Sequence, residues 1–177
     1  MLDALIQSKT RLKLLLRFFL NPESEAYLRG LAQEFGESTN AVRVELNRFE
    51  EAGLIVPHKE GNKKVFQVNT DHPMYSDLQR IAFKHFGLDQ IVENVVKKLG
   101  DVQAVYLTGD LARGLDARII DISLIGDIDT VYLAQLVEKA EALIKRKIRT
   151  LVYGAGDDVS LNKPHLLIYG EEINQNN

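Results

Sequence analysis

The sequence predicts an α+β protein in which two different folds follow one another along the chain. Up to about residue 52 the apolar side chains recur at helical spacing, and two short strand-like runs follow, Leu54-Ile55-Val56 and Val65-Phe66-Gln67-Val68. After residue 100 the pattern changes to strands with one long helix among them. A chain of 177 residues with 45% hydrophobic content can bury two small cores. We therefore expect two domains, over residues 1–87 and 88–177.

The first helix is predicted over residues 3–20. Its buried side is expected to contain Leu5, Leu12, Leu15, Leu16 and Phe19, and its solvent side Lys9, Lys13 and Arg17. These charges interrupt the apolar run, which is therefore neither a signal peptide nor a membrane span, and we expect a cytoplasmic protein with no membrane partner. The segment Asn21-Pro22-Glu23-Ser24 is expected to end this helix and cap the next one.

A pair of helices joined by a tight turn is predicted between residues 28 and 52. In the first, Leu28, Leu31, Ala32 and Phe35 share one face, and Gly36 ends it. Ser38 is a good N-cap for the second helix, Thr39 to Ala52, because its hydroxyl can accept a hydrogen bond from an unpaired backbone N–H.

The second of these helices has an outward face suited to reading DNA. With Val42, Leu46 and Phe49 turned inward, the opposite face presents Asn40, Val44 and Asn47, flanked by Arg43 and Arg48. Amide and guanidinium groups can make paired hydrogen bonds to the edges of adenine and guanine in the major groove.

Gly61-Asn62 predicts the turn of a hairpin between the two short strands. Lys59, Lys63 and Lys64 cluster at its tip, where they can reach the phosphate backbone and add a salt-sensitive contribution to binding.

Together these segments resemble the winged-helix DNA-binding domain of the ArsR-like bacterial regulators. The resemblance lies in Leu31-Ala32-Gln33-Glu34-Phe35-Gly36, in Ser38-Thr39-Asn40-Ala41-Val42 and in the run from Leu46 to Ile55. The expected DNA-binding residues are Ser38, Thr39, Asn40, Arg43, Asn47, Arg48, Lys59, Lys63 and Lys64. Winged helices also serve as protein-interaction modules, and that alternative stays open.

Composition narrows the possible chemistry. The chain has no cysteine, which excludes disulfides, thiolate metal sites and thiol redox sensing, and its four histidines include no pair at i, i+4 spacing. We therefore expect no metal site and no cofactor. The net charge of −3 is unevenly spread: residues 1–87 hold 12 basic and 11 acidic side chains, and residues 88–177 hold 10 and 14. Only the first part is suited to DNA.

Two more helices are predicted before the second domain's strands begin. The helix over 74–86 places Tyr75, Leu78, Ile81 and Ala82 on one side. This stripe could pack against a second subunit, since DNA-binding regulators commonly form homodimers, or against its own domain. The next helix runs from Leu88 to about Lys98.

The second domain is predicted to be a small α/β unit. Its strands are expected over 102–108, 118–125, 148–153 and 165–169, with a helix over 130–147. From the first strand into the second the chain reads Gly109-Asp110-Leu111-Ala112-Arg113-Gly114, then six residues, then Asp121-Ile122-Ser123. This spacing resembles the nucleotidyltransferase-like fold, whose active members carry Gly-Ser, Ala-Arg-Gly and Asp-x-Asp.

The resemblance implies a triphosphate at the Gly-Ser turn and divalent metal on the two strand carboxylates. Here Asp110 replaces the serine and Ser123 replaces the second carboxylate, while the third strand offers Thr150 and Val152 in place of an acid. The sequence thus predicts a degenerate nucleotide site with no catalytic residues, comprising Gly109, Asp110, Arg113, Gly114, Asp121 and Ser123. Arg113 could still hold a phosphate or carboxylate, or it could brace the loop.

These expectations describe a sequence-specific transcriptional regulator that is not an enzyme. Its partners would be double-stranded DNA, a second copy of the chain and, where the second domain senses a ligand, a small-molecule effector. The second domain would support dimerisation or sense a ligand. The alternative is a nucleotidyltransferase or nucleotide-binding protein whose winged helix recruits a substrate or partner.

Overall fold

The protein combines helices with two separate β-sheets. The computed structural model describes residues 2–157, 159–161 and 164–172. The chain divides into two compact units, of which the first ends at His85 and the second begins at Phe86. Each unit has its own sheet, three-stranded in the first and four-stranded in the second, so the predicted α+β class is confirmed. Among the described residues, no helix has both the length and the apolar character that crossing a membrane requires.

The first unit contains a cluster of helices and a small antiparallel sheet. Its elements are α1 Leu2–Leu5, α2 Lys9–Phe19, β1 Ala26–Tyr27, α3 Leu28–Phe35, α4 Thr39–Glu51, β2 Ile55–Glu60, β3 Lys63–Val68 and α5 Tyr75–Phe86, whose last residue begins the second unit. The strand order is β1-β3-β2, so β2 is an outer strand, and it contains Pro57. All of β2 beyond Ile55 is exposed to solvent.

The prediction of one helix over residues 3–20 was wrong. The helix is interrupted between α1 and α2, and Ser8 caps α2 by accepting a hydrogen bond from the backbone N–H of Arg11 at 3.2 Å. The phase of the apolar face changes across this break, so Leu5 is 77% exposed. Arg17, expected in solvent, is buried.

The predicted helix pair and its turn are confirmed. Gly36 ends α3 in the left-handed region, with φ +65°, a conformation that glycine adopts without a steric penalty. The Ser38 hydroxyl accepts a hydrogen bond from the backbone N–H of Ala41 at 3.1 Å and caps α4. Val42, Leu46 and Phe49 are buried, as their spacing predicts.

Ser24 does not cap α3. The residue before α3 is Tyr27, which makes no side-chain capping bond and instead belongs to β1. In β1, Ala26 pairs with Phe66 and Tyr27 pairs with Val65 of β3. This short strand therefore joins the chain ahead of α3 to the hairpin.

A row of three ion pairs fastens α2 to the α3–α4 pair, and we call it the α2 ion-pair row. Arg11 Nε lies 2.8 Å from Glu45 Oε2, Lys13 Nζ lies 2.9 Å from Glu37 Oε1, and Arg17 Nε lies 3.0 Å from Glu34 Oε1. The three carboxylates come from α4, from the turn and from α3 in that order. The row therefore sets the position of α4 relative to α2.

Glu45 is the most heavily bonded member of this row. Although it is only 6% exposed, it also accepts a hydrogen bond from the Ser8 hydroxyl at 3.0 Å and pairs with Arg48. Burial by itself raises the pKa of Glu45, but hydrogen bonds from Arg11 and Ser8 and the charges of Arg11 and Arg48 outweigh burial and hold the pKa below its ordinary value.

The second unit is a four-stranded sheet with helices packed on one face. Its elements are α6 Leu88–Ile91, a π-helical turn Val92–Val96, α7 Lys97–Leu99, β4 Val102–Thr108, α8 Gly109–Ala112, β5 Ile119–Gly126, α9 Thr130–Ile144, β6 Lys147–Tyr153 and β7 Leu166–Gly170. The order is β6-β5-β4-β7, and only the β5–β6 pair is parallel. The predicted strands and long helix are confirmed.

The two faces of this sheet are covered differently. Ile120, Ile122 and Leu124 of β5 are buried on the face against which α9 and the helical run after Phe86 pack. On the other face, Ala104, Tyr106 and Ile125 form a smaller core with Val159 and Leu161 from the segment after β6. This second cover leaves part of the face open, and a cleft lies there.

We predict that Glu45→Gln lowers the free energy of unfolding by about 2 kcal/mol at pH 7, because it leaves Arg11 and Ser8 without their charged partner. The folded-state pKa of Glu45 lies below its unfolded value of about 4.3, so its stabilising contribution is complete above that pH and is lost as the pH falls through the folded value. The gap between wild type and variant should therefore close in acid. Urea unfolding followed by circular dichroism from pH 7 to pH 3 measures it.

The matched control is Glu51→Gln, on the exposed side of α4, which should change stability by less than about 0.5 kcal/mol. A gap for Glu45→Gln that stays constant across the pH range would contradict this account.

Candidate functional site

The exposed side of α4 carries the side chains that the sequence predicts for DNA contact. Exposed positions at its cap and along it are Ser38, Thr39, Asn40, Arg43, Val44, Asn47 and Arg48. A 13-residue helix is about 20 Å long and of a diameter that the DNA major groove admits. This face is therefore available to a large, flat or grooved partner.

A cleft of about 540 Å³ separates this face from the hairpin. Its lining consists of Tyr27, Leu28, Arg29, Arg43, Leu46, Asn47, Asn62, Lys63, Lys64 and Phe66. Four of these side chains are cationic and none is acidic. The cleft is thus positively charged although the whole chain carries a net charge of −3.

The three hairpin lysines differ in their surroundings. Lys63 Nζ lies 4.7 Å above the ring of Tyr27, and Lys64 Nζ makes an ion pair with Glu50 at 2.8 Å. Lys59 faces Lys64 across the hairpin. Lys63 and Lys64 line the cleft while Lys59 does not. A phosphate that binds Lys64 must compete with Glu50.

Arg48 is held differently from Arg43. Its Nη1 atom lies 3.0 Å from Oε1 of the buried Glu45, one helical turn away, and the side chain stays partly exposed. Arg48 does not line the cleft, whereas Arg43 and Asn47 do. The geometry therefore favours Arg43 and Asn47 as contact residues.

Sequence reasoning missed Arg29 and Tyr27, which line the same cleft. Both depend on β1, because pairing of Tyr27 with Val65 brings the start of α3 against the hairpin. The only local signal is Gly30, since a Cβ atom there would lie 3.1 Å from Tyr27 Cζ. A glycine at this position lets the tyrosine ring lie over the helix.

A second cleft, of about 470 Å³, lies on the open face of the sheet in the second unit. Gly109, Arg113, Asp121 and Ser123, four of the six residues of the predicted degenerate nucleotide site, line it. Asp110 and Gly114 do not. The other lining residues are Thr108, Ile122, Arg149, Thr150, Leu151, Tyr153, Ser160, Leu161 and Pro164.

Strand register explains which side chains meet in this cleft. Asp121 of β5 pairs with Thr108 of β4 on one side and with Arg149 of β6 on the other. The prediction looked for acids at Thr150 and Val152, but the register places Arg149 beside Asp121 and Leu151 beside Ser123. A cation, not an acid, is therefore the neighbour of Asp121.

Asp121 and Arg149 form a close ion pair. The Oδ1 atom of Asp121 accepts a hydrogen bond from Arg149 Nε at 2.5 Å. This hydrogen bond, together with the charge of Asp121, holds the pKa of Arg149 above its ordinary value. Ser123 is buried, so its neutral hydroxyl sits at the floor of the cleft. Among the described residues, no group of three or more His, Asp or Glu side chains could hold a metal ion.

Gly109 allows the chain to pass close to Asp121. Its φ is +67°, and a Cβ atom built there would lie 2.6 Å from Asp121 Oδ2. A larger residue must therefore both adopt a left-handed conformation and push the carboxylate aside.

We predict that Gly109→Ala lowers the free energy of unfolding by about 2 kcal/mol, of which about 1 comes from the left-handed backbone and the rest from displacing Asp121. In an Asp121→Ala background the same change should cost only about 1 kcal/mol. Urea denaturation of the four proteins in this cycle measures the difference. Equal costs in the two backgrounds would show that Asp121 does not limit the space at Gly109.

No family model, no curated protein and no solved structure matches this chain. Any function assigned to it therefore rests on its residues and their geometry.

Proposed function

We propose that the first unit is a winged helix-turn-helix and that the protein is a sequence-specific, DNA-binding transcriptional regulator. The observation that carries this proposal is the cleft between α4 and the hairpin, which is lined by Arg29, Arg43, Lys63 and Lys64 and by no acidic side chain, although Lys64 also pairs with Glu50 outside the lining. Four cations beside an exposed helix give the combination of phosphate attraction and base-edge contact that duplex DNA requires.

In this proposal α4 enters the major groove. Asn40, Arg43 and Asn47 are exposed on one side of it, and each can form two hydrogen bonds to a base edge. The α2 ion-pair row holds the helix from its other side through Glu45. A helix fixed in this way presents its side chains with little loss of freedom on binding.

The hairpin then acts as the wing and contacts phosphates. Lys63 is steadied by the ring of Tyr27, and Arg29 extends the same positive surface from the start of α3. The pair between Lys64 and Glu50 lies at the surface and exchanges readily for a phosphate.

For the second unit we propose a nucleotidyltransferase-like domain that does not catalyse nucleotidyl transfer and that supports dimerisation or ligand sensing. Supporting this, Asp121 is already paired with Arg149, and the position of a second carboxylate holds the buried hydroxyl of Ser123. Mg²⁺ prefers several oxygen ligands in octahedral geometry, which these two residues do not supply. Nucleotide transfer, with the first unit recruiting a substrate, is the alternative.

A homodimer belongs to the same proposal. Part of the apolar stripe on α5 is already covered, because the Tyr75 ring lies 6.1 Å from that of Phe19 and Ala82 is buried. Met74 and Ile81 remain exposed, with Leu78 partly exposed between them at helical spacing. This remaining apolar stripe supports contact with a second copy.

We predict that Arg43→Ala and Asn47→Ala each cost about 1–3 kcal/mol on a preferred duplex chosen from a random pool, and much less on unrelated duplexes, because base-edge contacts discriminate between sequences. Fluorescence anisotropy with labelled duplexes measures both affinities. Gln135→Ala, on the exposed side of α9, is the control and should change neither. Equal losses on preferred and unrelated DNA would exclude α4 as the reading helix.

We predict that Lys59→Ala, Lys63→Ala and Arg29→Ala each weaken binding to all duplexes alike and reduce the slope of log affinity against log salt by about 1, since each would remove one phosphate contact. Lys139→Ala on α9 removes the same charge away from the cleft and should leave the slope unchanged. If none of the three substitutions alters the slope, the wing is not part of the DNA interface.

A further inference from the structure

We propose that the cleft on the open sheet face of the second unit binds the phosphoryl group of a small molecule without a metal ion, through Arg113 and Arg149. This inference deepens the ligand-sensing part of the proposed function, and it does not depend on DNA binding by the first unit. The named chemistry is a phosphate dianion, whether free or as part of a phosphorylated metabolite.

The charges of the cleft favour an anion. Its lining includes two guanidinium groups and one carboxylate, so the described lining has a net positive charge. Asp121 binds Arg149 through Nε, which leaves the two terminal amino groups of that guanidinium without a hydrogen bond to any described residue. Arg149 is 71% exposed and Asp121 only 20% exposed. An incoming ligand therefore meets the cation before the carboxylate.

Arg149 is also oriented for this task. The Nε–Oδ1 bond fixes the plane of the guanidinium, and a planar guanidinium with both amino groups available can donate two parallel hydrogen bonds to one phosphate. In this arrangement Arg149 supplies, from the protein itself, the positive charge that a metal ion would otherwise bring to Asp121. Arg113, which follows α8, makes no side-chain ion pair with a described residue and supplies the second cation.

The rest of the lining suits the phosphate oxygens. Thr108, Ser123 and Ser160 contribute hydroxyl groups to the cleft, and a hydroxyl can donate to an anionic oxygen. The volume of about 470 Å³ lies in the range of small-molecule sites. The apolar side chains of Leu151 and Leu161 also line the cleft and can contact the organic part of a phosphorylated ligand.

Isothermal titration calorimetry on the full chain tests the proposal, with EDTA present and with inorganic phosphate and ATP as separate probes. We expect saturable heat with at least one probe, and we expect Arg113→Ala and Arg149→Ala each to weaken binding at least about tenfold. Arg118→Ala removes an exposed guanidinium outside the cleft and should change affinity less than about twofold. Binding of phosphate but not ATP would indicate a site for the free anion. Binding of ATP but not phosphate would indicate a site for a larger phosphorylated ligand.

Asp121→Asn separates this site from a metal-dependent one. The change removes a negative charge from the cleft, while the amide Oδ1 of asparagine can still accept a hydrogen bond from Arg149 Nε and keep the guanidinium oriented, so binding in EDTA should persist or tighten. If a metal ion held the ligand, Asp121→Asn would abolish binding, and a heat of binding would be detected only with Mg²⁺ present. Circular dichroism confirms that each variant is folded, and Arg113 and Arg149 lie on different elements, so one misfolded variant does not remove the test.

The proposal is overturned if neither probe binds in EDTA, if binding appears only with Mg²⁺, or if Arg118→Ala weakens binding as much as Arg149→Ala. None of these outcomes changes the DNA affinity that fluorescence anisotropy measures. Failure of the phosphate site and failure of DNA binding are therefore read from separate experiments.

Discussion

The arrangement of the first unit depends on the α2 ion-pair row. Arg11, Lys13 and Arg17 lie along one helix, and their partners Glu45, Glu37 and Glu34 lie on α4, on the turn and on α3. Apolar contacts alone allow two helices to slide or rotate against each other, whereas charged groups with paired hydrogen bonds permit few relative positions. The row therefore selects one position for α4, and with it the direction of its exposed face.

The members of this row are not equally favourable. Burial lowers the pKa of Arg17 and raises that of Glu34, and in both cases it outweighs their mutual attraction. Arg17 also has a buried Nη1 atom without a hydrogen bond in the part of the chain the structure describes. Glu37 and Glu45 have lowered pKa values, because their hydrogen bonds and neighbouring charges outweigh the effect of burial. Contacts therefore outweigh burial for the carboxylates of the first two pairs, whereas burial outweighs attraction in the third.

Local signals allowed most of the elements to be predicted. Gly36 and Ser38 mark the turn between α3 and α4 by their own backbone and side-chain preferences, and the apolar run over 118–125 predicted the second strand of the second unit. The helix start at Ser8 was missed although its cap is local, but the other missed features depend on residues distant in sequence. In the sequence, Glu45 looks like an ordinary acidic residue on a helix surface, and only the packing of α2 against α4 buries it.

The candidate sites show the same limit. Tyr27 and Arg29 join the cleft of the first unit only through the pairing of β1 with β3, nearly forty residues further along the chain. In the second unit, the neighbour of Asp121 depends on the register between β5 and β6, which are separated by α9. A shift of one residue exchanges Arg149 for Thr150, and no local pattern fixes that choice.

The outer strand β2 has a further consequence for the protein in solution. An unpaired strand edge is a template on which another extended chain can form backbone hydrogen bonds, and this is a common route to aggregation. Pro57 lacks an N–H to offer to such a chain, and Lys59 places a charge two residues beyond it. The hairpin can therefore extend into solvent without recruiting copies of itself, so the surface beside the cationic cleft stays open to a partner.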